Sequence, residues 1–372
     1  MVLRRTRVLL AACVLALAAA PTASASVNWV VRGHGFGHGV GVSQYGAYGF
    51  ALHGKDYRFI LAHYYQGSAI SQVEGPKIVR VLLDISPSDI GFSGATSACG
   101  QALDPARSYE AHRTGSRIKL RSSAGKPLAD CGPKLRAAGK GKIAISDVGS
   151  FRGVLESVPT ESEAGSLNVI NALPVEQYVK GVIANESPPS WPAAELRAQA
   201  VESRSFALTG GVGGNGFDLY DDTRSQVYDG LSSETATTNA ATDATRGEVV
   251  TYGGKIAQTY FSACSGGYTE SVQNVFFGPA VPYLTAVPDP YDYYCPLHDW
   301  TLRFSGPEIS AKLGGYLDGR LKKVVITKRG VSPRIVSAKL FGTGGVTTVS
   351  GEQLQVALDG YSTWMSFQKV AG

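Results

Sequence analysis

Glu186 closes the segment LPVEQYVKGVIANE, in which Tyr178, Val179, Val182 and Ile183 form an apolar stripe at helical spacing. The break Ser187-Pro188-Pro189 follows, with Trp191 just beyond it, so this carboxyl stands at the C-terminus of a helix. There it faces the negative end of the helix dipole, which raises its pKa, and burial beside an aromatic raises it further. A carboxyl that holds its proton near neutral pH is what a general acid needs. The plain alternative is a solvated surface glutamate, the fate of most glutamates.

Three other groups of residues invite chemistry. On the next helix, PAAELRAQAVESRSFALTGG, Gln199 and Arg204 stand out. Arg204 shares a face with Ala200, Ala207 and Leu208, so its cation needs a carboxylate there, either as a site element or in a structural ion pair. Glu195 and Glu202 on the same helix read as solvated. The stretch Arg32–Gly46, RGHGFGHGVGVSQYG, sets His34 and His38 four apart and ends near Gln44. Its interleaved glycines oppose a helix, which removes the zinc-protease analogy and leaves either a groove wall or a stack of tight turns. Finally, Ser265 in ACSGG is not in a G-x-S-x-G setting. The aromatics around it, Tyr260, Tyr268, Phe276, Phe277 and Tyr283, would suit either sugar stacking or a core.

These residues need elements to hold them. KIVRVLLD (77–84) reads as a strand, as do RIKLRS and KIAISD within a Gly-, Ser- and Lys-rich stretch spanning 86–165, which suggests a small β-rich subdomain. SLNVINALP is a strand entering the Glu186 helix, and GEVVTYGG-KIAQTYFSA a hairpin about Gly253-Gly254. A short amphipathic helix centres on Ile60, and VVITKRG, IVSAKLFG and TTVSG continue in β. The class is α+β.

Composition narrows the function. The chain has 372 residues with 44% hydrophobic and 17% charged, enough for a large core and too apolar for a disordered chain. Residues 1–25 carry Arg4, Arg5 and Arg7, an apolar run from Val8 to Ala20, and Ala23-Ser24-Ala25, the pattern of a cleaved secretory signal. Its removal leaves 32 Lys and Arg against 30 Asp and Glu, which gives no basic stripe for nucleic acid. No later segment is long and apolar enough to span a bilayer, so the expectation is a secreted protein without a stable membrane span. Of five cysteines, Cys13 lies in the signal, and the remaining four are expected to pair as Cys99–Cys131 and Cys264–Cys295. No C-x-x-C pair favours zinc instead.

Taken jointly, the segments resemble the SpoIID/LytB family of bacterial cell-wall proteins. The resemblance rests on residues 173–208, 221–230, 244–255, 259–272 and 282–292, and on the glycine-histidine segment 33–70. It implies a SpoIID-like catalytic domain over 166–372, completed by 26–70, with 71–165 as the β-rich subdomain. It further implies a lytic transglycosylase acting on peptide-free peptidoglycan strands. No cofactor is expected, and zinc on His34 and His38 is disfavoured because a Gly-rich loop rarely fixes ligand geometry and no further ligand is evident. The family's acid falls on Glu186, and its substrate-binding positions on Gln199, Arg204, Tyr260, Ser262 and Ser265. His34, His38 and Gln44 would line the groove. Two alternatives remain: a glycan-binding protein that stimulates a cell-wall amidase, and a muramidase using Asp221 or Asp222 as a second carboxylate. The glycine-histidine segment normally closes this family's domain, whereas here it precedes it, and 351–367 resembles the block that usually runs into it. This arrangement looks like a circular permutation. It requires residues 27–32 and 361–368 to be neighbours, plausibly in one sheet.

Overall fold

A computed structural model describes residues 27–371 except Ser88, Ser162, Ala164 and 210–212; the expected signal segment and Gly210-Gly211, at the end of the expected second helix, lie outside the described residues. The fold is α+β and, among the described residues, is organised around three large apolar clusters and a small fourth one at Leu82, Ile170 and Phe217.

The first cluster sits between two antiparallel-rich sheets and a helix layer. A seven-stranded sheet places Leu167–Pro174 between Ile78–Ser86 and Val154–Pro159. A six-stranded sheet contains Arg117–Ser122 and Ser108–Thr114 near its middle. Leu120, Leu155 and Val169 of these sheets share one core with Val179, Leu196 and Ala200 of the helices. The compositional boundary near residue 165 is therefore crossed by a sheet and a core, because β-strands 78–86 and 167–174 need each other to bury both faces. Within this region Cys99 and Cys131 are bonded, as are Cys264 and Cys295 elsewhere, so the sequential pairing holds.

Four helices shape the site: α1 (Gln44–Leu52), α2 (Tyr57–Tyr64), α3 (Val175–Glu186) and α4 (Ala193–Thr209). Ser43 caps α1 by accepting the Gly46 N–H at 3.1 Å, and Asp56 caps α2 through Phe59 N–H at 2.8 Å. The glycine-histidine stretch thus becomes helical only from Gln44. Before it, Gly35, Gly37, Gly39 and Gly41 all take positive φ, which a side chain would resist. At Gly41 a Cβ would also strike the Tyr260 carbonyl, so the segment lies flush against 260–265. α4 is enclosed by α1, α2, α3 and Ala236–Ala244. It is buried on nearly every face, including Glu195 and Glu202, each 1% exposed. The expectation of solvated glutamates there fails because nearly all of the helix, Arg197 and its first residue aside, is interior.

The second cluster belongs to the C-terminal third and the first strand together. Val27–His34 is the middle strand of a sheet, antiparallel to both Asp299–Ser305 and Met365–Ala371. Val27 faces Ala371 and Gly33 faces Met365, so residues 27–32 and the chain's last strand are neighbours in one sheet. Trp29 and Val31 enter a core with Phe304, Ile309, Leu340 and Leu354, on which the meander 321–350 also packs.

Candidate active site

α3 ends at Glu186 because Ser187 turns to extended backbone and two prolines follow. Glu186 lines a groove of about 810 Å³ together with Tyr260, Ser262, His38 and Phe276. The Val227 N–H donates to Glu186 Oε1 at 2.9 Å. Burial raises the Glu186 pKa, and the hydrogen bonds from Val227 and Gln44 only partly oppose it. Among the described residues that line the groove, Glu186 is the only carboxylate.

Behind Glu186 lies a buried polar chain. The Gln44 amide donates to the Glu186 carbonyl at 2.9 Å and to Gln199 Oε1 at 3.1 Å. Gln199 in turn donates to Ser203 Oγ at 3.1 Å. The Ser187 hydroxyl lies 2.7 Å from Glu195 Oε1 and 3.3 Å from Gln199 Oε1. Burial pushes Glu195 up to about 8, and it pushes Glu202 well above the usual range with the Glu195 charge adding to it. Both are therefore held as neutral acids near pH 7.

The sequence-chosen residues divide into two groups. Glu186, Gln44, Tyr260, Ser262 and His38 meet at the groove, and Gln199 supports them from one layer back. Ser262 Oγ accepts the Gly39 N–H at 3.1 Å, which ties the glycine-rich strip to the groove wall. His38 accepts from Val40 N–H at 2.9 Å and also bonds the Phe261 backbone. Burial, then the Arg334 charge, lowers its pKa to about 4, so it is a neutral wall residue.

Arg204, Ser265 and His34 stand elsewhere. Arg204 is fully buried, with its guanidinium on both oxygens of Glu176 at 2.9 and 2.8 Å and on the Glu248 carbonyl at 2.9 Å. It is the structural ion pair, joining α4 to the start of α3 far from Glu186. Ser265 is also fully buried; its hydroxyl donates to Asp289 at 2.7 Å and its N–H to Asp292 at 2.8 Å. That pins the turn behind the groove wall. His34 ends the first strand, 2.6 Å from Asp299 and against Trp364. His34 and His38 therefore belong to different neighbourhoods and do not form a ligand pair.

Sequence reasoning missed Gln258 and Arg224 on the groove rim and Phe206 on its floor. Arg224 is bidentate to Asp222 and lies 3.7 Å over the Tyr220 ring. DDTRS signals such a local turn pair, but nothing in it signals a groove. Asp222 is thereby neutralised, while burial, with smaller contributions from Asp222 and Asp229, raises Asp221 to about 6.

Residues 163–252, which hold α3, α4 and Glu186, match the model of the Stage II sporulation protein family, SpoIID. Over 191 residues the chain is 32% identical to the stage II sporulation protein D of Bacillus subtilis, covering 46% of this chain and 55% of that one. It is 39% identical over 134 residues to the amidase enhancer of the same organism, covering 36% of this chain and 18% of the enhancer. An uncharacterized protein of Brachyspira hyodysenteriae is 41% identical over 151 residues, 40% of each chain. The chain thus spans about half or less of the length of these relatives. The region that holds α3, α4 and Glu186 is thus similar to the SpoIID family. Among the described residues no helix is long and apolar enough to cross a membrane.

Proposed function

We propose that this protein is an exported lytic transglycosylase that cleaves peptide-free glycan strands of peptidoglycan. Similarity to the SpoIID family supports a cell-wall role. The observation that carries the finer reading is a single carboxylate, Glu186, with a raised pKa, among the described residues lining a groove of about 810 Å³. Protonated Glu186 gives its proton to the glycosidic oxygen that follows N-acetylmuramic acid as the bond from that oxygen to the anomeric carbon breaks. The resulting carboxylate takes the proton of the C6 hydroxyl, whose oxygen closes onto the anomeric carbon. The products are a 1,6-anhydro end and a new 4-hydroxyl, with no water consumed. One group serves both steps, whereas hydrolysis with inversion needs a second carboxylate on the opposite face. Val227 N–H and the Gln44–Gln199 chain hold Glu186 in place.

The similarity to an amidase enhancer supports a second reading, a glycan-binding partner of a cell-wall amidase without catalysis of its own. Mass spectrometry of digested peptide-free strands separates the readings. Anhydro ends support the transglycosylase, and reducing ends point to a muramidase. Intact strands, with stimulation of an added amidase, give the second reading.

A further inference from the structure

A second cavity, of about 310 Å³, adjoins the groove: His38 and Phe276 line both. Its far wall comes from the C-terminal unit, through Arg334 and the helix Gly351–Leu358, so it lies at the seam between two cores. Mostly apolar cavities with a few fixed polar groups at such seams are where small polar ligands bind. Three details mark this one. Phe276 and Phe277 are 46% and 60% exposed, an unusual display of two adjacent large rings. Phe277 is held at a φ of +54°, a conformation that bulky residues avoid and that tends to persist at functional sites. Arg334, 1% exposed, donates to the carbonyls of Tyr268 and Ser265, but its Nε–H has no partner among the described residues.

The charge balance selects the ligand. Glu270, also buried, lines the same cavity, and its oxygens are taken by Ser271 N–H, Asn274, Val331 N–H and the Ser332 hydroxyl. With exposed Glu352 at the rim, the cavity carries no positive excess, which disfavours an anion. A neutral group with an apolar face and one hydrogen-bond acceptor fits. We infer that this cavity is a saccharide subsite that extends the groove and holds the acetamido group of one N-acetylated sugar of the bound strand. A shift of the Arg334 side chain brings its Nε–H, closed off from solvent in the structure, onto the acetamido carbonyl, while the methyl group and the sugar face pack on Phe276 and Phe277. The inference rests on the glycan reading given above.

Its test is binding without turnover, on the Glu186→Gln protein, by calorimetry. The probes are β-1,4-linked N-acetylglucosamine oligomers of increasing length and the matching glucose oligomers. Affinity should rise with length until an oligomer spans groove and cavity. Adding Phe277→Ala should remove that last increment, about tenfold, and leave the short oligomers unaffected. Arg334→Lys, accepted only with a native melting profile, should erase the preference for acetamido over hydroxyl in the long oligomers. If Phe277→Ala binds every length as its parent does, the subsite is wrong while the glycan reading stands. If the parent binds no oligomer, the glycan reading itself fails.

Discussion

The Ser187 hydroxyl lies 2.7 Å from the buried carboxyl of Glu195, so the residue that terminates the Glu186 helix is anchored to an interior acid on α4. Glu195 Oε2 has no partner among the described residues, and Gln199 Oε1 lies 3.3 Å from the same hydroxyl. A neutral Glu195 can donate to Ser187 Oγ, which frees the Ser187 proton for Gln199 and completes a chain to Gln44 and the Glu186 carbonyl. Glu195 is in this sense a positioning residue, acting on Glu186 through Ser187.

A neutral buried acid has a measurable signature. Its folded pKa, about 8, lies above the unfolded value, so between roughly pH 4.5 and 8 the folded state binds a proton that the unfolded state has lost. Stability contributed by this group is full at acid pH and falls by up to about 1.4 kcal/mol per pH unit across that window. Glu195→Gln should flatten the pH dependence of denaturant unfolding and be more stable than wild type at pH 8. Glu202 and Asp289, both raised, add slopes of the same sign in either protein, and His38, lowered to about 4, opposes them at the acid end. Parallel curves for the two proteins would show that Glu195 is ionised.

Catalysis should respond differently to the two acids. Glu186→Gln removes the transferable proton, and because one group serves both half-reactions the loss should reach about 10⁴-fold, the upper end for general acid–base catalysis. Folding should be intact, since glutamine is an equally good helix former and relieves a charge at a helix C-terminus. Glu195→Gln should retain most turnover and Ser187→Ala should lower kcat with little change in KM. Anhydro release by folded Glu186→Gln at near-normal rate would remove Glu186 from the mechanism.

How much of this was legible in the chain can be argued residue by residue. α3 and α4 were, because apolar stripes and Pro-Pro punctuation are local signals, and so were the strands 78–86, 117–122 and 167–174. The need of Arg204 for a carboxylate was legible too, though its partner Glu176 was not. Glu195 and Glu202 were misread because burial of α4 on nearly every side is a tertiary fact that no face of the helix announces. The glycine-histidine strip was opaque for the same reason. Its path is set by contacts such as Phe36 with Cys264, more than two hundred residues away.

The two disulfides should differ in consequence. Cys264 adjoins Ser265, whose turn backs the groove wall, and Cys295 follows Asp292, which holds that turn at 2.8 Å. Cys99–Cys131 lies out in the β-rich region. Replacing either pair with serine should cost about 2–5 kcal/mol. Only loss of Cys264–Cys295 should also weaken glycan binding, measured at a temperature where both variants are folded. Equal glycan affinity for the two variants would refute this assignment.

The pairing of the first and last strands makes the permutation testable by reversing it. Val27 lies directly across from Ala371, at the roughly 5 Å separation of paired strands, so a short flexible linker can join the two ends without moving either. The link between Ala69–Gln72 and Ile78–Ser86 is exposed over most of its length and is a suitable place for new ends. A chain that begins in this link, runs to residue 371 and continues through a Gly-Ser linker into 27–72 restores the order in which 351–367 leads into the glycine-histidine segment. Every strand pairing is preserved, including the central place of Val27–His34 between 299–305 and 365–371. This rearranged protein should unfold cooperatively with a midpoint within a few degrees of the parent, since loop-closure terms change by only about 0.6 kcal/mol per doubling of loop length. It should also retain the parent's affinity for N-acetylglucosamine oligomers. A control chain lacking 27–33 altogether should lose the C-terminal core, because Trp29 and Val31 are buried within it. If the rearranged chain fails to fold while the parent does, then the order of segments matters to this fold and the permutation reading is wrong.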